Sequence, residues 1–291
     1  MTKDPQSRPR YYVSLLVRTF DAWSDDHGPR MGAALAYYAL FSLAPILLIA
    51  VTVAGSFFGD ISARDEVIKQ VRYYVGPPGG RAVRELMGSM AAVKSGFWGA
   101  IVSAAVLFFA ASGLVSELQS ALNDIWKVVP APRPWLALLR RRAVALVFVL
   151  GSGLLLMLAV ILSAVVSALG IYMSVRLNIP KGVLHAMDFI LSVGVATLLF
   201  ALIYKYLPDT RISWRDVWSG AAATSVLLTL GNQAIGIFLS KIDLTTIFGA
   251  AGSLVLVAVW IFYASQLLYF GAEFTRVHAQ SRGLTGAHGQ L

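Results

Sequence analysis

Residues 31–59 read MGAALAYYALFSLAPILLIAVTVAGSFFG, 29 residues without one charged side chain. Crossing the hydrocarbon core of a bilayer takes roughly 20 apolar residues at about 1.5 Å each, so this stretch is long enough to span it. A helix on the surface of a water-soluble protein would instead carry polar residues along one face at helical period. The stretch therefore predicts a transmembrane helix.

The rest of the chain repeats this pattern. Of its 291 residues, 57% are hydrophobic and 13% are charged, whereas an ordinary soluble domain carries about 25% charged residues. Stretches free of Asp, Glu, Lys and Arg recur along the chain, and one further apolar stretch is interrupted by Asp188 alone. We therefore predict an all-α transmembrane helical bundle with six spans, at about 31–59, 96–116, 143–170, 183–205, 217–240 and 247–273.

The distribution of the 24 Lys and Arg residues predicts how the bundle is oriented. With six spans, one side receives 15 of them, in 1–30, 116–142, 205–216 and 273–291, and the other side receives nine. Because basic residues accumulate on the cytoplasmic side, we expect both termini in the cytoplasm. The net charge of +9 then fits contact with anionic lipid at the cytoplasmic face, without nucleic acid as a partner.

The segment before the first span has its own pattern. In 1–30, apolar residues such as Leu15, Leu16 and Phe20 recur near helical period among basic and acidic residues, which predicts an N-terminal cytoplasmic helix lying in the membrane interface and ending near Gly28. We expect no cleavable signal peptide, because the short apolar piece 11–17 is flanked by charge on both sides.

Two other segments lie outside the predicted spans. Residues 60–94 show a helical pattern on both sides of the Gly- and Pro-rich cluster 76–80, which predicts a helical hairpin on the outer side. Residues 276–291 are expected to form a disordered cytoplasmic tail. Between the N-terminal helix and this tail, 31–275 is predicted to be a single membrane domain, and a homo-oligomer is compatible with it.

Polar side chains inside the predicted spans are informative because they are costly in lipid unless they face protein or water. On four of the predicted helices they share one helical face, and Pro45 also frees a backbone carbonyl at mid-helix, typical of a kink or hinge. Helix packing and a dry hydrogen-bonded core are the alternatives to a hydrated cavity. The residues predicted to line a cavity or bind substrate are Tyr38, Ser42, Pro45, Asn232, Gln233, Gln266, Tyr269 and Glu273.

A second set of polar residues lies near the predicted cytoplasmic ends of the spans. Glu117 and Asp124 share a helical face, and we expect them to form a gate or to pair with basic residues such as Arg140 or Arg215. The alternative is that Glu117 reaches the interface and pairs with a loop arginine. The predicted gating and ion-pair residues are Glu117, Asn123, Asp124, Arg140, Asp209 and Arg215.

The sequence carries none of the common motifs of enzymatic chemistry. No Walker loop, no GxGxxG after a strand and no HExxH is present, and the four histidines are widely separated. The absence of cysteine excludes disulfides and thiolate metal sites. We therefore expect no cofactor, no bound metal and no catalytic site.

Several motifs in order resemble the YihY/BrkB family of bacterial inner-membrane proteins over about 20–277. They are ALAYYALFSLAP at 34–45, ALNDIW at 121–126, LPD at 207–209, WRD at 214–216, GAAGS at 249–253 and GAE at 271–273. Phe248 departs from the family, which often has tyrosine there. The resemblance implies six spans with cytoplasmic ends. Members have been labelled ribonuclease BN, virulence or serum-resistance factor and transporter, and the missing nuclease chemistry argues against the first label.

Three functions are compatible with this sequence. The leading hypothesis is a transporter or exporter of a small solute or lipid-like molecule, because polar stripes on several helices are expected to converge. The first alternative is a non-transporting scaffold for envelope assembly, which would have a dry core and act through its loops. The second is a membrane-bound enzyme, which would require a catalytic site that the residue spacing does not indicate.

Overall fold

The structure is a computed structural model that describes residues 7–58, 64–65, 67–69, 71–72, 77–91, 113–128, 181–241 and 252–281. Within these ranges all regular secondary structure is helical, so the all-α prediction is confirmed for them. The main helices are α1 (Ser7–Asp25), α2 (Gly28–Phe58), α3 (Pro77–Ala91), α4 (113–125), α5 (Lys181–Tyr206), α6 (Trp214–Lys241) and α7 (Gly252–Ser281).

Four predicted spans each overlap one helix, namely α2, α5, α6 and α7, and α7 extends beyond the predicted end at 273. The predicted span 143–170 and most of 96–116 lie outside the described residues. Among the described residues, Leu254–Ser281 is the one helical segment that by length and composition is apolar enough to cross a bilayer, and Ser192–Tyr206 is a shorter apolar stretch. The number of six spans stays a prediction.

A sharp corner joins α1 to α2. His27 has a positive φ of 58°, a left-handed conformation that ends a helix, and Pro29 occupies the first turn of the next one. The indole of Trp23 lies where a Cβ atom on residue 28 would be, so only Gly28 fits this corner. The helix end predicted near Gly28 therefore coincides with the corner.

Helix α7 organises the described part of the bundle, since it packs against α1, α2, α3 and α6. The main core lies between α2, α4, α5, α6 and α7 and is built from large apolar side chains. Its fully buried members include Leu122, Ile125, Val217, Tyr204 and Tyr269.

The segment predicted as an outer hairpin has helical residues on both sides of the cluster 76–80. Its arms meet at Ile68, Val83 and Met87, and Ala82 packs against the beginning of α7. The cluster does more than interrupt a helix, because Pro77 begins α3. A proline is tolerated in the first turn, where its missing N–H has no intrahelical partner.

The opposite end of α7 contacts α1. Helix α7 continues to Ser281. Residues 276–281 are therefore helical, whereas we predicted that they would be disordered. The reason is packing: Val277 and Ala279 are buried, and the hydroxyls of Tyr11 and Ser281 are 2.8 Å apart. Residues 282–291, the remainder of the predicted tail, lie outside the described residues.

Candidate functional site

Three predicted cavity residues form what we name the α7 strip: Gln266, Tyr269 and Glu273. They lie on one face of α7, and Tyr269 and Glu273 are fully buried. The amide of Gln266 packs where Gly32 of α2 leaves room for it. Among the described residues, the amide nitrogen and oxygen of Gln266, the Tyr269 hydroxyl and Oε1 of Glu273 are buried without a hydrogen-bond partner. A buried polar group that lacks every partner costs about 1–3 kcal/mol, so these four atoms are the ones in the strip that can accept further hydrogen-bond partners.

The predicted cavity residues of α2 are arranged differently. The buried hydroxyl of Ser42 donates to the Ala39 carbonyl of its own helix at 3.0 Å. Tyr38 is 39% exposed and packs against Gly113 at the start of α4. Helix α2 continues through Pro45, whose side chain lies outside the described residues. The structure does not join the hydroxyl of Ser42 to the α7 strip.

Asn232 contacts α7 at a different level. Its amide oxygen accepts a hydrogen bond from Nε1 of Trp260 at 3.2 Å. Trp260 and Glu273 are 13 residues apart on one helix, which places them about 20 Å apart along its axis. Asn232 therefore lies far from the buried carboxyl, and the side chain of Gln233 lies outside the described residues.

The hydroxyls between α5, α6 and α7 have partners, in contrast to the α7 strip. Tyr204 donates to the Leu268 carbonyl at 2.7 Å and lies 3.0 Å from the Thr224 hydroxyl. Thr197 and Ser225 are hydrogen-bonded at 2.5 Å across α5 and α6. These groups hold helices together.

The predicted gating residues are partly brought together. Asn123 donates to Oδ2 of Asp209 at 2.9 Å and accepts from the Asp209 backbone N–H at 2.8 Å. Asp124 and Arg215 are exposed, and Glu117 is half-buried on α4. Arg140 lies outside the described residues, so its pairing stays a prediction.

The sequence did not point to the charged cluster that the structure forms at one end of the bundle. This ion-pair cluster consists of Asp26, Lys127, Glu273 and Arg276. Nη2 of Arg276 lies 2.7 Å from Oε2 of Glu273 and 3.5 Å from Oδ2 of Asp26, while Lys127 binds Oδ1 of Asp26. The cluster ties the α1–α2 corner to the end of α4 and to α7.

Asp26 is the ionised centre of the ion-pair cluster. Burial acts to raise the pKa of Asp26, but the hydrogen bond from Lys127, the contact with the Glu273 carboxyl and the charges of Lys127 and Arg276 outweigh it. The pKa of Asp26 is therefore held below its ordinary value. One sequence signal could have indicated part of this cluster, since Arg276 follows Glu273 at i+3 on the same helix.

A cavity of about 570 Å³ opens beside the ion-pair cluster. Its charged lining residues are Arg18, Asp21, Asp25, Asp26, Lys127 and Arg276. Glu273 lies one turn before Arg276 on α7 and is fully buried. Within the described ranges, no group of three His, Asp or Glu side chains has the arrangement of a metal site.

Comparison with known proteins identifies relatives over most of the chain. A UPF0761 membrane protein of Verminephrobacter eiseniae is 27% identical over 266 residues, covering 86% of this chain and 58% of that protein. One of Glaesserella parasuis is 28% identical over 61% of each chain, and one of Pseudoalteromonas translucida is 23% identical over 93% of this chain and 86% of its own. This chain thus spans about three fifths of the first two relatives. No solved structure matches it.

The names of these relatives state a membrane location and no enzymatic activity. The family model described as Virulence factor BrkB matches residues 19–290, which is nearly the whole chain and includes the α7 strip and the ion-pair cluster. The family expected from the sequence motifs is therefore confirmed, and the chain is a membrane protein that belongs to the Virulence factor BrkB family.

Proposed function

We propose that this protein is a multi-pass protein of the bacterial inner membrane that moves a small solute or lipid-like molecule through a polar cavity beside α7. In this proposal it has six spans, both termini are cytoplasmic, and the hairpin around α3 lies on the outer side. The ion-pair cluster closes the cytoplasmic end of the cavity, and Pro45 acts as a hinge in α2.

The observation that carries the proposal is the α7 strip. Buried polar groups in proteins almost always have hydrogen-bond partners, from protein or from ordered water. The hydroxyls between α5, α6 and α7 follow this rule, whereas four polar atoms of the strip do not. A transported molecule or its accompanying water would supply the missing hydrogen-bond partners. A surface used only for dry helix packing would not present polar atoms that need such partners.

The surface of α1 supports a location at the membrane interface. Four apolar side chains at i, i+3, i+4 and i+7 stay exposed on one face: Val13 at 62%, Leu16 at 49%, Val17 at 54% and Phe20 at 56%. Such a face is favourable against acyl chains and unfavourable in water. Arg18 is exposed on the same helix and is suited to anionic headgroups, the lipid partner that we propose for the cytoplasmic face.

Transport is tested with the full-length chain reconstituted in liposomes. The probes are a fluorescent phospholipid analogue for exchange between leaflets and radiolabelled glycerol for solute flux. Gln266→Leu and Tyr269→Phe should each lower the active flux by about tenfold, the effect of losing one hydrogen bond of about 1.4 kcal/mol.

Ser265→Ala is the matched control, because the Ser265 hydroxyl is on the same helix but bonds to the Ile261 carbonyl at 2.7 Å. It should keep the flux of the unchanged protein. The transport proposal is wrong if the protein transports neither probe, or if Gln266→Leu, Tyr269→Phe and Ser265→Ala all give the same flux. The envelope-assembly scaffold then takes its place.

A further inference from the structure

Two carboxyl groups from different elements meet on one guanidinium. Asp26 belongs to the α1–α2 corner and Glu273 to α7, yet Nη2 of Arg276 contacts an oxygen of each, at 3.5 and 2.7 Å. The two carboxyls are therefore neighbours across this nitrogen, where a hydrogen bond between them would need a proton. Two carboxylates without a proton between them have no donor for such a bond and repel each other.

The positive charges near the pair are unevenly shared. Asp26 is bound by Lys127 as well as Arg276, whereas Arg276 is the one basic side chain on Glu273 among the described residues. Glu117, on α4, is a further acid in this region. It interacts electrostatically with the hydroxyl of Tyr269, and Tyr269 lies one turn before Glu273 on α7. Of the two cations in the ion-pair cluster, Glu273 therefore contacts one, whereas Asp26 contacts both.

The position of Glu273 makes its charge costly. The residue has no exposed surface, and its Oε1 lacks a hydrogen-bond partner while Oε2 is bound by Arg276. A buried carboxylate oxygen without a partner is strongly unfavourable, and a proton removes that charge. The same proton converts one carboxyl into a donor for the other.

We propose that Glu273 is a proton-binding site that controls how tightly the α1–α2 corner is held against α7. The proposal rests on the transport function proposed above and adds the proton as its coupling ion. Glu273 does not line the 570 Å³ cavity, so in this proposal a proton reaches its carboxylate from the cavity past Asp26 and Arg276, which do line it. Arg276 and Lys127 keep their own protons. The charge of the cluster rises by one.

The direction of the effect follows from the charges. When Glu273 is ionised, it repels Asp26 and competes with it for Arg276, so the corner is held loosely. When Glu273 is protonated, it donates a hydrogen bond to Asp26 and leaves Arg276 to pair with Asp26. Protonation therefore closes the cytoplasmic end, and loss of the proton opens it.

Proton binding is measured by infrared difference spectroscopy on the purified full-length chain in lipid nanodiscs, between mildly acidic and mildly alkaline buffer. The unchanged protein should show a protonated-carboxyl band in acid that disappears in alkali. Glu273→Gln should lack this component, and Glu273→Asp should keep a titrating band. Glu85→Gln, at an exposed carboxyl on α3, should match the unchanged protein.

An identical difference spectrum for the unchanged protein and Glu273→Gln would overturn the proposal. Binding of radioactive sodium that Glu273→Gln abolishes, without a titrating carboxyl band, would also overturn it. Both measurements are made without flux, so failure of the transport assays leaves their result readable.

Closure is measured separately by the distance between probes on two added cysteines, Ser24→Cys on α1 and Gln280→Cys on α7, both at exposed positions. The distance should shorten in acid in the unchanged background. In the Glu273→Gln background it should be short at both pH values, because an amide can donate to Asp26 without titrating. If the distance between the two probes changes neither with pH nor with Glu273→Gln, the proposed closure is contradicted.

Discussion

At the scale of single residues, Asn123 shows how two separate sequence motifs meet. Its side chain is 7% exposed and makes two hydrogen bonds to Asp209, one through the carboxylate and one through the backbone N–H. Asn123 belongs to the ALNDIW motif and Asp209 to the LPD motif, 86 residues further along the chain. The pair fixes the end of α4 to the connection between α5 and α6.

Replacing this side chain tests the clamp. Asn123→Ala should lower the free energy of unfolding by about 1–3 kcal/mol, because it removes two hydrogen bonds of about 0.5–1.5 kcal/mol each, while the hydrogen bond from Gln119 to Oδ1 of Asp209 remains. The measurement is thermal unfolding of the full chain in detergent. Asp124→Ala, at the exposed neighbouring position, should change the midpoint little, and equal shifts in the two variants would contradict the assigned role of Asn123.

The sequence could reveal only the residues of a site that share one helix. Helical period placed Gln266, Tyr269 and Glu273 on one face, and they are on one face in the structure. It could not reveal that Asp26 meets Arg276, 250 residues later, because such a contact depends on the packing of α1, α2 and α7. The ion-pair cluster was missed for that reason.

At the scale of the elements, α6 and α7 approach closely at two glycines. A Cβ atom on Gly220 would collide with the hydroxyl of Thr275 and lie 3.0 Å from the Gly271 carbonyl. Gly271 in turn leaves room for the Thr224 hydroxyl. Close approach of small residues brings dispersion contacts and short hydrogen bonds between helices within a membrane.

Alanine substitutions distinguish this contact from ordinary helix propensity. Gly220→Ala should lower stability by about 1–3 kcal/mol, because α6 must shift away from α7. Gly194→Ala, on α5 where a Cβ meets nothing within 4 Å, should raise stability by about 0.5–1 kcal/mol through helix propensity. Thermal unfolding in detergent measures both, and a stabilising Gly220→Ala would contradict the close packing.

The limits of sequence reasoning differ between elements. Apolar runs predicted the bounds of α2, α5 and α6 closely, because lipid-length runs and helices coincide. The end of α7 was predicted too early, since 276–281 is polar in composition. In that stretch Val277 and Ala279 are buried and α7 contacts α1, and composition does not reveal such a tertiary contact.

At the scale of the whole molecule, α7 separates two differently built ends. Its first turns contact α3 of the hairpin, and its last turns contact α1 and the ion-pair cluster. Helix α7 has 30 residues, so the two ends are about 45 Å apart, which matches a bilayer with its headgroup layers. This separation supports opposite sides of the membrane for α1 and the hairpin, as the charge distribution predicts.

The chain contains no cysteine, so a single introduced thiol can be labelled without background. Gly88→Cys places a thiol at an exposed position of α3, where a Cβ meets no other atom within 4 Å, and Ser24→Cys places one at an exposed position of α1. With a membrane-impermeant maleimide added outside spheroplasts, Gly88→Cys should react and Ser24→Cys should react only after lysis. This outcome follows because the 15 basic residues assigned to the side of the termini favour the cytoplasm. If Ser24→Cys alone is labelled in intact spheroplasts, the orientation is the reverse of the predicted one. If Ser24→Cys and Gly88→Cys are both labelled there, the assignment of α1 and the hairpin to opposite sides is contradicted.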